Sequence, residues 1–525
     1  MKMRHGTARL SLCLLALLGA CFVTWGTSCS LIGRPVMDLE VALQLGRTEL
    51  VVGESAPVTI TLTNTSDKPL TLPDPERSSD WPQIRLGDRQ RQREEVFGPY
   101  DRGSKESHEF KVPLPPVMAT LSPRHQIRRE GDLMQWIGLP PPGSYELTAA
   151  MRWSGGQAAS KPVALVVQPL NLRAAMLAGA HSGHTPFRYC VWSQAQGKGS
   201  AVILTSTAFD PQGHPQETMS LRVAELDYAA LPVMSVSRNN FPYPAQWIAW
   251  LNGDRLSGLY VKQGQVALPL RTQAASVSQA TLVGPILLEP DTNDDSRPAR
   301  GHLALWQPGT SAANLVIRTF EANGALSAGP QLAIDSGELR WGRAVALAGG
   351  ERRYLLAVQR SAGTSLEMAR WNPATSSFTL SSIAQWGERS SVIGAGVVLM
   401  PDDRLLGAAL IRSRAADGRM LYALQSWRVE ADGTARIETA LPIRRDLATE
   451  VERAVIELSP TGNIIALLRG ADKSWFSCDR GGACAPLPAA LAKFGEPIGA
   501  FWPNETAPFL IMAGAQTGIT YRILQ

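Results

Sequence analysis

Trp247-Ile248-Ala249-Trp250-Leu251-Asn252-Gly253-Asp254-Arg255-Leu256-Ser257-Gly258-Leu259-Tyr260 is an apolar strand, a short polar turn and a second apolar strand. The same unit recurs in Val397-Val398-Leu399-Met400-Pro401-Asp402-Asp403-Arg404-Leu405-Leu406-Gly407-Ala408-Ala409-Leu410 and again from Val455 to Leu468 around Ser459-Pro460-Thr461-Gly462. From about Ala174 to Gln525, short apolar runs alternate with turn residues, and a period near 3.6 is almost absent. The exception is Asp446 to Leu458, where Leu447, Val451, Ala454 and Leu458 predict one short amphipathic helix.

Turn centres of this kind fall near Gly197, Gly253, Gly309, Gly350, Asp402, Thr461 and Asn504, between 41 and 59 residues apart. Repeats of roughly 40 to 50 residues, each a few strands long, are the signature of propeller blades. One blade cannot cover its own faces, and packing blades around an axis buries both faces and leaves only short edges. The expectation is an all-β propeller of about seven blades over 171–525, closed by Ile519-Thr520-Tyr521-Arg522-Ile523-Leu524 against the first blade. Two further β-sandwiches are the alternative. This half resembles divergent bacterial β-propellers without the Trp-Asp and Gly-His signals of WD40 repeats. The resemblance rests on the repeat pattern alone and carries over no functional residue.

Residues 38–170 read as one small β-sandwich. Val58, Ile60 and Leu62 alternate with threonines, the period-two pattern of a half-buried strand, and Asn64-Thr65-Ser66-Asp67-Lys68-Pro69 is turn chemistry. Further strands are predicted at Leu70 to Leu72, Ser144 to Ala149 and Pro162 to Val167. Val58-Thr59-Ile60-Thr61-Leu62-Thr63-Asn64-Thr65-Ser66 and Pro142-Gly143-Ser144-Tyr145-Glu146-Leu147 resemble the immunoglobulin-like modules of bacterial surface proteins. That implies a sandwich fold and almost nothing about function. The Arg-rich stretch from Arg85 to Arg129 reads as a solvated long loop or edge strand, with a basic contact surface for acidic lipid or polysaccharide as the alternative.

The first residues carry an address. Lys2, Arg4 and Arg9 precede the apolar run Leu10 to Leu18, and Leu18-Gly19-Ala20-Cys21 resembles the lipobox of bacterial lipoproteins. The expectation is a signal peptide over 1–20, lipidation at Cys21 and a linker over 21–37, with cleavage near Cys29 as the alternative. Phe22 after that cysteine, where Asp would indicate inner-membrane retention, favours the outer membrane or periplasm, with the cell surface as a further location. The formal charge of +5 falls to about +2 without Lys2, Arg4 and Arg9. That is too small for a nucleic-acid partner, which needs a concentrated basic surface.

Cys478-Asp479-Arg480-Gly481-Gly482-Ala483-Cys484 is a tight loop, and in an oxidising setting Cys478 and Cys484 are expected to bridge a hairpin. Cys190 reads as a buried free thiol. His181 and His184 fall in a Gly/Ser linker with no partner carboxylate, and no nucleophile elbow, phosphate loop or dinucleotide fingerprint is present. Asp291, Asn293 and Asp295 alternate as oxygen ligands do at the start of a calcium loop, but Ser296 stands where glycine is needed and His302 where a bidentate Glu is needed, so a solvated loop is preferred. No cofactor is implied. Trp250, Trp306 and Trp502 each precede a turn, either as equivalent packing positions or as an aromatic rim at one propeller mouth.

The function these features support is a non-catalytic, membrane-anchored envelope lipoprotein, its propeller a platform for a protein or polysaccharide. The alternative is a propeller hydrolase or lyase acting on carbohydrate or peptide. It needs carboxylates or histidines from several blades at the central channel, and Asp254, Asp402 and Asp403 are candidates that sit in tight turns.

Overall fold

The computed structural model describes residues 38–524 except 75–82, 89–92, 98–117, 139, 183–184, 211–213, 236–245, 254, 263–264, 270–278, 290–298, 348–349, 439, 444–449, 460 and 503–507. The expected signal peptide, Cys21 and the Asp291, Asn293, Asp295 cluster lie outside the described residues. Two compact units form: 1–46 with 57–137 and 146–164, and 47–56 with 138–145 and 165–525.

In the first unit Pro57–Asn64 pairs antiparallel with Leu39–Leu45 on one side and Gln126–Asp132 on the other. Val58, Ile60 and Leu62 are fully buried and the intervening threonines are not, as the alternation demands. Gln83–Asp88 lies between Gly143–Trp153 and Arg93–Phe97, and Gly156–Ala159 folds back on Gly143–Trp153. The Arg-rich stretch therefore contains strands as well as loop.

In the second unit, among the described residues, seven antiparallel sheets follow one another along the chain. They are termed I (172–226), II (233–269), III (281–335), IV (338–386), V (390–442), VI (451–486) and VII (496–523). Within each, the strands pair in chain order as an up-and-down meander, except that the short Leu441–Pro442 of V pairs back onto Met420–Val429. Their second strands are near-continuous apolar runs because both faces are covered. In Gln246–Asn252, Trp247 and Ala249 face sheet III, whereas Ile248 and Trp250 face sheet I.

The apolar seams run in a cycle. Tyr189 and Val202 meet Ile248 and Val261 between I and II. Trp247 meets Leu303 and Phe320 between II and III, and Trp306 meets Tyr354 and Leu356 between III and IV. Leu355 and Met368 meet Ala409 and Trp427, Leu406 and Leu410 meet Ile456 and Leu468, and Ile465 and Leu467 meet Leu510 and Met512. The last seam returns to the start: Phe501, Phe509 and Tyr521 of VII pack on Phe209 of I. Sheets packed face to face around a closed cycle are a β-propeller.

First strands of neighbouring sheets meet around the axis. A Cβ on Gly396 of sheet V would lie 2.2 Å from the Ile456 carbonyl oxygen of VI, and one on Gly499 of VII would lie 2.0 Å from Leu177 of I. At Gly396 the neighbouring backbone leaves room for glycine alone, whereas at Gly499 the obstacle is the end of the Leu177 side chain.

Three expectations change. The turn centres near Gly197, Gly253 and Gly309 join second to third strands, whereas Gly350, Asp402 and Thr461 join first to second strands. The repeat was therefore sampled once per sheet but slipped by one strand between III and IV, because every apolar hairpin looks alike along the chain. Within the expected helix over 446–458, Val451–Leu458 is instead the first strand of VI, paired with Ile464–Gly470. Its apolar spacing imitates a helix, but β-branched Val451, Val455 and Ile456 and the ladder decide for strand. Lastly, among the described residues Gly518–Ile523 hydrogen-bonds as a strand to Phe509–Gly514 alone, and meets the first sheet by packing. The ring closes through side chains, with Tyr521 edge-on to Phe209 at 4.9 Å.

A polar clasp reinforces that closure. The Glu54 carboxylate accepts the Arg222 Nε–H at 2.6 Å, pairs with Arg222 Nη2 and accepts the Val51 amide at 2.9 Å. The Ser220 hydroxyl donates to the Gly53 carbonyl, tying the segment to the outer strand of I. Gly518, in the last turn of VII, approaches Val52 and Gly53 so closely that a Cβ there would lie 2.8 Å from the Val52 oxygen.

Candidate functional site

Three charged side chains from three sheets lie within electrostatic reach of one another. Arg343 lies in the first strand of IV, Glu457 in the first strand of VI and Arg188 near the start of the second strand of I. Arg343 shares its strand face with Trp341 and Val345, which pack toward V, while Glu457 shares its face with Val455, which packs toward VII. The Glu457 carboxylate stands 3.5 Å from where a Cβ on Gly499 would be, an ordinary contact distance, so it lies beside the first strand of VII.

Each of the three is hemmed in by protein yet keeps some solvent-accessible surface. Burial pushes the Glu457 carboxyl up to about 7, although the positive fields of Arg343 and Arg188 pull the other way. Burial likewise holds the Arg343 guanidinium below its usual range, against the pull of Glu457. Arg188 is drawn down to about 10 by burial, opposed by Tyr521 and Glu457, and its guanidinium lies 4.4 Å from the Phe501 ring centre. Among the described residues, neither the Arg343 guanidinium nor the Glu457 carboxylate has a protein hydrogen-bond partner. Glu457 thus lies within electrostatic reach of both arginines, and burial outweighs their fields.

A second polar cluster lies between III and IV. His302 Nε2 is 2.9 Å from Glu289 Oε1, and its Nδ1 is 3.0 Å from Thr319 Oγ1. Burial, then Arg352, lowers the imidazole to about 4 against the pull of Glu289. The ring is therefore neutral at pH 7. The carboxylate can only accept, so Nε2 carries the proton and Nδ1 accepts from the threonine hydroxyl. This satisfies a buried imidazole, and it is also the order of groups that activates a hydroxyl.

The residues singled out from the sequence are placed as follows. Cys478 and Cys484 form the expected disulfide, across the hairpin of Trp475–Cys478 and Cys484–Pro486. Cys190 is a buried free thiol, pushed well up by burial. His181 is in a strand, opposite Pro186, rather than in a linker. Asp402 is bonded to Arg404 in an exposed turn, with Asp403 beside it, so neither reaches the channel. Trp250 and Trp306 are 4% and 2% exposed, and Trp502 is half-buried against the VI–VII seam. Trp250 and Trp306 sit near second-to-third turns and Trp502 beside a first-to-second turn, which a meander places at opposite ends. They do not form one rim.

Arg188, Arg343 and Glu457 went unremarked in the sequence. The signal for each was a lone charge inside an apolar strand, as in Val455-Ile456-Glu457-Leu458.

No protein-family model matches this chain, and no curated protein matches it in sequence. Among solved structures, a polysaccharide lyase is similar at 10% identity and a TM-score of 0.38, covering 66% of this chain and 89% of its own. An α-L-arabinanase of Penicillium chrysogenum, complexed with arabinobiose, has 11% identity and a TM-score of 0.35 over 56% of this chain and 92% of its own. The β-propeller domain of the trilobed protease from Pyrococcus furiosus, described as having an open velcro topology, has 10% identity and a TM-score of 0.33 over 67% of this chain and 96% of its own. The propeller assignment rests on the cyclic seams rather than on these likenesses.

Proposed function

We propose that this chain is a non-catalytic binding protein of the cell envelope, with the propeller as a platform for a protein or polysaccharide. In this reading the seven sheets are seven blades, the first unit is an immunoglobulin-like spacer, and Cys21 carries the lipid anchor. The observation that supports it is that Arg343 and Glu457, on the first strands of IV and VI, offer charge that the protein leaves without hydrogen-bond partners among the described residues. A rigid ring with unsatisfied polar groups at its axis suits recognition. The test is crosslinking of the tagged full chain in intact cells, followed by affinity purification and mass spectrometry. A dominant envelope partner that disappears when 171–525 is deleted is the expected result. No partner above background overturns the protein-scaffold form.

One arrangement favours the hydrolase reading, the Thr319–His302–Glu289 chain. Its test is turnover of a panel of glycoside and peptide substrates by the wild type and by Thr319→Ala. Turnover lost in the variant would establish it.

A further inference from the structure

A groove of about 670 Å³ lies where the 47–56 segment meets sheet I, and every residue that lines it belongs to the second unit. One wall is Arg47, Thr48 and Glu49, with Gln168 at the end of Val163–Gln168. The other wall is the turn after the second strand of I, at Gln196 and Gly197, with Arg222 and Glu225 of its outer strand. The volume falls within the roughly 300–1,000 Å³ of small-molecule sites. Charged groups tie the two walls together. Glu225 Oε1 accepts from Arg47 Nη1 at 2.5 Å and from Arg222 Nη1 at 2.7 Å, and Arg222 Nε donates to Glu54 at 2.6 Å. The side chains of Thr48, Glu49, Gln168 and Gln196 make no hydrogen bond or ion pair among the described residues. Nothing lies within 4 Å of where a Cβ on Gly197 would be, so the groove is open beside that turn.

These groups select a ligand by its chemistry. Both guanidiniums are already engaged by carboxylates and Glu49 is an unpaired acceptor, so the groove holds no spare positive charge for an anion. An apolar ligand would take the free polar groups from water and return no hydrogen bond. An extended peptide needs an open strand edge. The edge that borders the groove, Glu49–Val51, is closed, because the Val51 amide donates to the Glu54 carboxylate and the Val51 carbonyl accepts from the Glu54 amide. A sugar hydroxyl both donates and accepts. Gln168 and Gln196 each set a donor beside an acceptor, Thr48 adds a hydroxyl, and Glu49 offers two acceptor oxygens. We propose that this groove binds a neutral saccharide through Glu49, Gln168 and Gln196, while the Arg47–Glu225–Arg222 chain holds its two walls in register. The contacts are hydrogen bonds alone, and no covalent bond is made or broken.

This inference rests on the binding-platform reading and deepens it by naming the ligand class and the place it binds. The experiment screens the full-length purified protein against an array of neutral glycans, acidic glycans and unmodified peptides, then titrates it calorimetrically with the strongest neutral glycan. The expected result is saturable binding of at least one neutral glycan. Thr48→Trp, which fills the groove from an exposed position, is expected to weaken that glycan about tenfold or more. Glu49→Ala removes a charged acceptor and is expected to cost about tenfold, and Gln196→Ala about threefold to tenfold. Each variant is checked by its melting temperature. Should Thr48→Trp fail to fold, Glu49→Ala and Gln196→Ala still decide, since Glu49 is exposed and Gln196 half-buried. Asp402→Asn, in its exposed turn of V, is the control and is expected to bind as the wild type does. No neutral glycan above background overturns the proposal. So does a preference for acidic glycans or for peptides, or neutral-glycan binding that persists unchanged in the folded variants. A failed glycan screen beside intact envelope crosslinks removes the saccharide groove alone, whereas a successful titration with no crosslinks removes the protein-scaffold reading alone.

Discussion

Between sheets IV and V the seam is filled by Leu355, Met368, Ala409 and Trp427, all within 1% of complete burial, and the two sheets follow each other directly in the chain. Between VII and I the seam joins residues some three hundred positions apart, such as Phe209 and Phe501, and is built differently. Its core is aromatic, with Phe209 4.9 Å from both Phe501 and Tyr521. It is backed by the 47–56 segment and the buried Glu54–Arg222 pair, 0% and 6% exposed. An interior seam needs only apolar complementarity, because the chain already holds its two sides together. The closing seam bears the cost of bringing distant sheets together, and directional contacts fix its register. Arg222 stays charged although buried, because Glu54 and Glu225 satisfy it. Burial disfavours the Arg222 charge, yet the hydrogen bonds and field of Glu54 and Glu225 hold the guanidinium above its ordinary value.

Experiments that break each seam separately put numbers on that contrast. Trp427→Ala, in the interior seam, opens a large cavity and is expected to cost about 3–5 kcal/mol in urea unfolding. Glu54→Ala attacks the closing seam by leaving Arg222 buried with only the exposed Glu225, at 2.7 Å, as partner. The expected loss is about 3 kcal/mol, and the double variant Glu54→Leu/Arg222→Met should recover most of it. A double variant as unstable as the single one would mean that the apolar packing of the segment, not the ion pair, closes the ring.

Glu457 tests the axis, apart from both seams. Its folded value of about 7 lies above the ordinary 4.5, so the native state binds the extra proton. The stabilisation from that protonation is fully present below about 4.5 and lost as pH rises through about 7. Allowing for the water that reaches the channel, about 2 kcal/mol separates the two ends. Melting temperatures across that window should fall in the wild type and stay flatter in Glu457→Gln. Replacing Cys478 and Cys484 by Ser releases a short loop far along the outer edge of VI and should cost about 2 kcal/mol by chain entropy, measured by thermal unfolding. Smallest of all, Asp402→Asn in its exposed turn should leave the melting temperature within the scatter of replicates.

Much of the fold could be read along the chain. Val58, Ile60 and Leu62 announced a half-buried strand by alternation, and Cys478 and Cys484 announced their disulfide by spacing. Both are short-range signals. The slipped repeat phase and the false helix over 446–458 arose because hairpins in a propeller are locally interchangeable, and a run such as Val451 to Leu458 is apolar at several periods at once. The candidate site was scarcely legible, since Arg188, Arg343 and Glu457 stand far apart in sequence and each passes for an ordinary strand residue.

The sequence by itself determined that the second unit is built of short, two-sided apolar strands, because that property depends on each residue and its near neighbours. Only the tertiary structure decided which strands line the axis, that side chains and the Glu54 clasp close the ring, and that one carboxylate lies within reach of two guanidiniums. Those outcomes depend on distances between residues more than a hundred positions apart. Such distances are set by packing and desolvation, which no local pattern records.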